Sequence, residues 1–185
     1  MTIWFTSDQH FGHSNIIRHC RRPFQDVEEM DTKLLANWNS RIRPTDLVYH
    51  LGDIIFRSSR DPRGYLDRLH GKIHLIRGNH DDRTIKLCAA RFESIESLRT
   101  IKIDRQKVVL CHYALRVWDA SHYGSWHLYG HSHGKLPTQG LSIDIGVDSH
   151  DFLPWSWEEI EDNFAGFDET GAKALRRSLS EEDSA

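Results

Sequence analysis

No run within the 185 residues approaches the ~18 consecutive apolar positions that a membrane-crossing helix needs. Hydrophobic residues make up 38% of the chain, which also excludes a membrane protein. The opening Met1-Thr2-Ile3-Trp4-Phe5 lacks the basic start and long apolar stretch of a secretory signal. Cysteine is scarce. Cys20, Cys88 and Cys111 are odd in number, far apart and form no C-x-x-C pair. They exclude a disulfide framework and a zinc finger, and read as reduced thiols of a cytoplasmic protein. Positive charge is not in excess either: 24 Lys and Arg stand against 27 Asp and Glu, a formal net charge of -3 that argues against bulk polyanion binding while leaving local basic patches open. There is no internal repeat, linker or low-complexity block. What the chain does have is histidine, 13 residues of it, and six tryptophans.

Short apolar runs stop abruptly at polar residues. Ile3-Trp4-Phe5 leads to Asp8-Gln9-His10, Leu47–Leu51 to Gly52-Asp53, and Ile73–Ile76 to Gly78-Asn79-His80-Asp81. Val108–Leu110 leads to Cys111-His112, and His127-Leu128-Tyr129 to Gly130-His131-Ser132-His133. Runs of this length, flanked by turn residues, fit buried strands better than helices. Polar groups just past strand ends lie where α/β sheets place ligands. Between the early strands, Val27, Met30, Leu34, Leu35, Trp38 and Ile42 recur at helical spacing, with Asp26 and Glu29 as a capping pair and Pro44 closing the helix. Further helices are expected from about Arg83 to Phe92, over Gly64–Leu69, and from Pro154 onward.

This alternation predicts a parallel sheet with crossovers. The second half reads differently. Ile101 and Ile103, then Asp104-Arg105-Gln106, then Val108–Leu110 predict a hairpin. Leu141, Ile143, Ile145 and Val147 alternate with polar residues or glycine, predicting a strand with one buried face. The expected architecture is α/β, in four layers: two mixed β-sheets packed as a sandwich and flanked by helices. Residues 1–167 are expected to form one domain and 168–185 a loosely ordered tail.

Asp8, His10, Asp53, Asn79, His112, His131 and His133 each follow a predicted strand. A glycine precedes three of the clusters (Gly52, Gly78, Gly130), and is expected to allow the turn that aims the next side chain at the cleft. Oxygen and imidazole donors without thiolate suit manganese, iron, zinc or nickel. A two-metal hydrolase needs such a rim, with one carboxylate shared between ions ~3.5–4 Å apart.

The order Asp-x-His, Gly-Asp, Gly-Asn-His-Asp, isolated His, Gly-His-x-His, from Asp8 to His133, resembles the calcineurin-like metallophosphoesterase superfamily. The resemblance implies a metallophosphoesterase-like fold and hydrolysis of phosphate esters by a metal-activated water, with two divalent ions, manganese first and iron, zinc or nickel as alternatives. It implies that Asp8, His10, Asp53 and His133 hold one ion, that Asp53 bridges, and that Asn79, His112 and His131 complete the second. His80 would be catalytic, facing the phosphate to stabilise the transition state or protonate the leaving oxygen, with Asp81 orienting His80 or its loop. The extension Phe11–Ile17, with its additional His13, resembles small bacterial and phage members.

Arg18, Arg21, Arg22, Arg57, Arg60 and Arg63 follow two of the predicted ligand loops and would form a basic collar around the cleft. His13, Arg21 and Arg57 are the expected substrate contacts. Phosphodiesters are slightly favoured because the collar suits an extended anion, with a nucleotide or short nucleic acid among the candidates. A phosphomonoesterase or protein phosphatase would use the same site. A non-catalytic interaction scaffold, binding through Trp155-Ser156-Trp157, is the alternative of a different class. His19, His70, His122 and His150 read as structural or surface, His50 and His74 as satisfied core histidines, and His127 as a strand residue facing away from the site. Trp118 and Trp126 read as core. No membrane contact is expected, and the sequence leaves the oligomeric state open.

Overall fold

The computed structural model describes residues 1–56 and 61–165. The expected tail beyond Asp168 lies outside the described residues. Two sheets form. The first has β1 (Ile3–Thr6), β2 (Leu47–His50), β3 (Lys72–Ile76) and β4 (Phe92–Glu96) all parallel, in the order β4-β3-β2-β1, with the short β9 (Trp155–Ser156) antiparallel to β1. The second runs β5-β6-β7-β8, from β5 (Leu98–Ile103), β6 (Gln106–Cys111), β7 (Trp126–Tyr129) and β8 (Ser142–Asp144). Its β6, β7 and β8 are parallel, and β5 is antiparallel to β6. The two mixed sheets with flanking helices are those expected from the sequence.

Strand alternation sorts the core. Phe5, Tyr49 and Leu51 of the first sheet meet Val108, Leu110, Leu128 and Ile143 of the second in one apolar cluster between the sheets. Trp4, Val48, Ile73 and Leu75 point the other way, to helices α1 (Ser14–His19), α2 (Val27–Arg41), α3 (Arg63–Leu66) and α4 (Asp82–Cys88). Met30, Leu34 and Trp38 of the α2 stripe are buried, each worth about 1.5–3 kcal/mol of transfer free energy. Asp26 caps α2 through Glu29 N–H at 2.9 Å, and the chain turns extended at Ile42, before Pro44.

Helix α5 (Trp157–Ala165) starts later than its sequence signal. Trp155 and Ser156 pair with β1 first, and Ser156 and Glu159 then form a reciprocal capping box, at 3.1 and 2.8 Å. Strand β4 is not evident in the sequence, because Phe92–Glu96 is short and only Phe92 is buried. The helical pattern there runs into it: α4 ends at Cys88, a single turn of tighter helix covers Ala89–Arg91, and β4 begins at Phe92. The β5–β6 hairpin turns at Asp104 and Arg105, both at positive φ, as a two-residue turn matching the strand twist requires.

The expectation of one buried face for β8 is corrected. Ser142 and Asp144 are buried as well as Ile143, because the polar side of this strand serves as an internal acceptor surface for the loop that follows β7. Among the described residues no helix is long and apolar enough to cross a membrane.

Candidate metal centre

Parallel strands deliver all their carboxyl ends to one side. The loops after β1, β2 and β3 therefore meet those after β6, β7 and β8. Backbone pairing continues past the regular strands: Asp8 N–H donates to Gly52 O, His10 N–H to Asp53 O and Phe11 N–H to Ile54 O, each at 3.0 Å. Val147 N–H donates to Ser7 O, also at 3.0 Å, and this joins the two sheets beneath the site.

The expected donors fall into two groups, and a third cluster, Cys20, His133 and Asp148, shares His133 with the first. Ligand atoms of Asp8, His10 and His133 lie within 4.8 Å of one another, and so do those of Asp53, His112 and His131. Asp53 stands between them, its Oδ2 3.5 Å from His10 Nε2 and 3.6 Å from His112 Nε2. Asn79 Oδ1 is 3.2 Å from His112 Nε2. All seven residues singled out for metal are thus on one rim. Asp8 Oδ1 and His10 Nε2 are buried without a hydrogen-bond partner. Orphaned polar atoms of this kind are costly unless something polar fills the space between them. A divalent cation fits that position, and the oxygen and imidazole donors fit its chemistry.

The electrostatics agree. Burial pushes the Asp8 carboxyl up to about 7. Burial, with the neighbouring positive groups, holds His10 well below its ordinary value. Burial would also depress His133, but its bond to Asp148, with Cys20 and Asp8 nearby, drives it up to about 10. The charged form of Asp8 and the neutral form of His133 that a cation needs are therefore both disfavoured until positive charge enters.

Five of the donors, Asp8, His10, Asp53, His131 and His133, have φ between 51° and 65°. Non-glycine residues in this left-handed region cost of order 1–3 kcal/mol each and persist only where surroundings dictate them. Here the bonds are visible: Asp53 N–H donates to Asp81 Oδ2 at 2.9 Å, and His131 N–H to Asp8 Oδ2 at 2.8 Å. The expected turn-making role holds for Gly52, whose φ is 96°, and changes for Gly78 and Gly130. After Gly130 the left-handed turn is made by the donor His131 itself. Gly78 and Gly130 have no positive φ; they are glycine because a Cβ at Gly78 would stand 2.3 Å from Asp53 Oδ1, and one at Gly130 2.5 Å from Asp8 Oδ2.

His80 is half-buried, its Nε2 4.0 Å from Asp53 Oδ2, and Asp53 Oδ1 accepts its backbone N–H at 2.8 Å. Asp81 does not touch the His80 ring. Its carboxylate accepts the N–H groups of Gly78, Asp53 and Ile54 at 2.8, 2.9 and 3.1 Å, so it fixes the loop and joins it to Asp53. His13 lies flat on Phe56 at 3.5 Å between centroids, 5.3 Å from His10.

Arg22 leaves the collar. It is 4% exposed and donates to Asp148 through two nitrogens at 2.8 and 2.7 Å, to Asp8 O at 2.7 Å and to Gln9 O at 2.9 Å. Arg18, Arg21 and Arg63 are exposed, and Arg63 pairs with Asp61. Arg57 and Arg60 lie outside the described residues.

Asp148 was not visible in the sequence as part of the site. It accepts from His133 Nδ1 at 2.8 Å, so Arg22, Asp148 and His133 form a chain that fixes which imidazole nitrogen faces Asp8. Its signal is only its place just beyond the last alternating strand. Replacing such an orienting carboxylate costs ~10–100-fold in metal affinity. Asp148→Asn is expected to weaken manganese binding by about that factor in titration calorimetry, and unchanged affinity would exclude the orienting role.

His127 is buried, and its Nε2 accepts Leu115 N–H at 3.1 Å, so it anchors the segment after His112 rather than meeting the donors. His50 is a satisfied core histidine that accepts Gly52 N–H at 3.1 Å and is bonded to Gln9. Trp126 packs on Trp157 and Phe164. Cys111 is buried.

Residues 1–140 match the family model of the calcineurin-like phosphoesterase superfamily domain. The chain belongs to that superfamily and is a phosphate ester hydrolase of the divalent-metal-dependent kind. It is 35% identical over 170 residues to an uncharacterised protein of Methanocaldococcus jannaschii, covering 85% of this chain and 88% of that one. It is 26% identical over 186 residues to the Gene 66 protein of Mycobacterium phage D29, covering 82% and 91%. Among solved structures, a protein of unknown function from Aquifex aeolicus superposes with a TM-score of 0.70 at 25% identity, covering 87% of this chain and 98% of that one.

Proposed function

We propose that the chain is a dinuclear phosphodiesterase in which Asp8, His10, Asp53 and His133 hold one divalent ion and Asp53, Asn79, His112 and His131 the other. The observation that carries this reading is the pair of donor groups meeting at Asp53, one of them containing the orphaned atoms Asp8 Oδ1 and His10 Nε2. When bound, the ions would supply Lewis-acid charge and an activated water. Manganese is the proposed metal.

The protein's own contribution is arrangement. Asp81 and Asp53 lock the loop that presents Asn79 and His80. His80, half-exposed above Asp53, stabilises charge on the phosphate or gives a proton to the departing oxygen. Asn79 and His131 are exposed, so the rim is open to a phosphate carrying two substituents. That openness favours a diester, nucleotide or short nucleic acid among them. His13, beside His10, is a proposed substrate contact, and Arg21 and Arg57 are proposed for the outer arm. The unpaired cysteines suit a reducing cytoplasm.

The test is a count of metal per chain together with turnover of nitrophenyl phosphate, its bis-ester, a 2′,3′-cyclic nucleotide and single-stranded DNA in manganese. Two ions and faster diester cleavage are expected. One ion, or monoester cleavage alone, refutes the proposal.

General-acid help is worth ~10²–10⁴-fold and fades for good leaving groups. His80→Ala is therefore expected to slow an alkyl ester more than a nitrophenyl ester while metal content stays normal. Equal slowing would make the role purely electrostatic, and metal loss would make it structural.

A further inference from the structure

The donor rim has an aromatic wall at each end, and only one of them is absorbed by the roles above. At the His10 and His80 end stands Phe56, 4.8 Å from the His80 ring and stacked on His13. At the opposite end stands Tyr113. Its ring centroid lies 4.9 Å from both His112 and His131, at 73° and 69°, and the residue is nevertheless 45% exposed.

Two near-perpendicular contacts fix the plane of the Tyr113 ring. The backbone that carries it is fixed too, since His127 accepts Leu115 N–H two residues on. A large ring held rigidly beside the donors and left half in water is a surface prepared for something flat. Rigid aromatic area costs little conformational entropy when a planar group stacks on it.

We infer that Tyr113 is a specificity-determining residue that stacks on a planar group carried by the retained arm of a phosphodiester, such as a nucleoside base. The inference rests on the diesterase reading. If His80 serves the departing oxygen, the leaving arm runs toward Phe56, and the arm that stays on phosphorus diverges from it at the tetrahedral angle, which leaves Tyr113 as the aromatic surface within its reach. Stacking of a base on an aromatic side chain is sequence-tolerant, because every base offers a π-face, and corresponds to about tenfold or more in affinity. Tyr113 therefore selects for an aromatic arm without selecting which base.

The test uses two diesters with one leaving group, phenyl 4-nitrophenyl phosphate and methyl 4-nitrophenyl phosphate, and the manganese-loaded full chain. They differ only in the retained arm. The wild-type protein is expected to show a KM roughly tenfold lower for the phenyl ester. Tyr113→Leu, which keeps apolar bulk but not the flat ring, should collapse that ratio toward one, and Tyr113→Phe should retain it. Equal KM values in the wild type, an unchanged ratio in Tyr113→Leu, or a ratio lost in Tyr113→Phe would each overturn the stacking role while leaving the diesterase reading intact. Cleavage of nitrophenyl phosphate with no cleavage of either diester would instead remove the diesterase reading, and this inference with it.

Discussion

Asp53→Asn is expected to abolish nearly all turnover and to lower total bound metal, more than any other single ligand change. The reason is that Asp53 does three things at once. Its Oδ2 faces His10 and His112, one from each donor group, at 3.5 and 3.6 Å. Its Oδ1 accepts the His80 backbone N–H at 2.8 Å. Its own N–H is held by Asp81 at 2.9 Å. Asparagine can keep the bond to His80, so the fold of the loop should survive, but the charge shared by both ions is lost. A change at His10 or Asn79 touches mainly one ion. The loss should exceed the ~10–100-fold in affinity or activity typical of residues that only orient a ligand. Atomic absorption and bis-ester turnover on the purified variant check this. Two tight ions with near-normal rates would show that Asp53 does not bridge.

Gly130→Ala should disable the site without removing any ligand. A Cβ there would stand 2.1 Å from Ser7 Oγ and 2.5 Å from Asp8 Oδ2. Those atoms cannot retreat cheaply. Ser7 donates to Leu51 O at 3.0 Å, and Asp8 Oδ2 accepts the His131 N–H at 2.8 Å. One methyl group therefore forces apart the loops after β1 and β7, which carry Asp8, His10, His131 and His133. Overpacking of this kind costs typically 1–3 kcal/mol in stability. The larger effect is expected on metal: affinity at the Asp8, His10 and His133 group should fall by more than tenfold, with a melting temperature lowered by several degrees. Thermal melts with and without manganese separate the two effects. A variant that keeps its full metal-induced stabilisation would show that the loops can shift without disturbing the donors.

The residues that the structure brings together at the candidate site were legible, and their supports were not. Asp8, His10, Asp53, Asn79, His80, His112, His131 and His133 each announce themselves by sitting just beyond an apolar run, because strand ends and cleft coincide in a parallel sheet. Asp148 and Arg22 carry no such mark. They are 126 positions apart, and one lies among arginines that look like a surface collar. Arg22 is buried because Asp148, Asp8 O and Gln9 O together satisfy its guanidinium, a set of partners that exists only after the loops following β1 and β8 have met. Strand β4 was hidden for a different reason. Its pairing with β3 supplies the order that a short, mostly half-exposed pentapeptide does not encode by its own periodicity.

Sequence by itself determined most of the strands and helices in their order, without α1, β4 and β9, together with the parallel start, the hairpin, the α2 stripe and the family's ordered donor blocks, because hydrophobic period and turn chemistry are local properties. It also determined that glycine belongs at Gly78 and Gly130, though not why. Tertiary structure alone decided the reason: these positions lack a Cβ so that Asp53 and Asp8 can approach from distant loops, and after Gly130 the bend itself falls on His131. It alone turned Asp81 onto three backbone N–H groups, set Arg22 behind His133, and stood Tyr113 at the open end of the rim. Each of these depends on contacts between segments far apart in the chain, and such contacts leave no periodic trace in the order of residues.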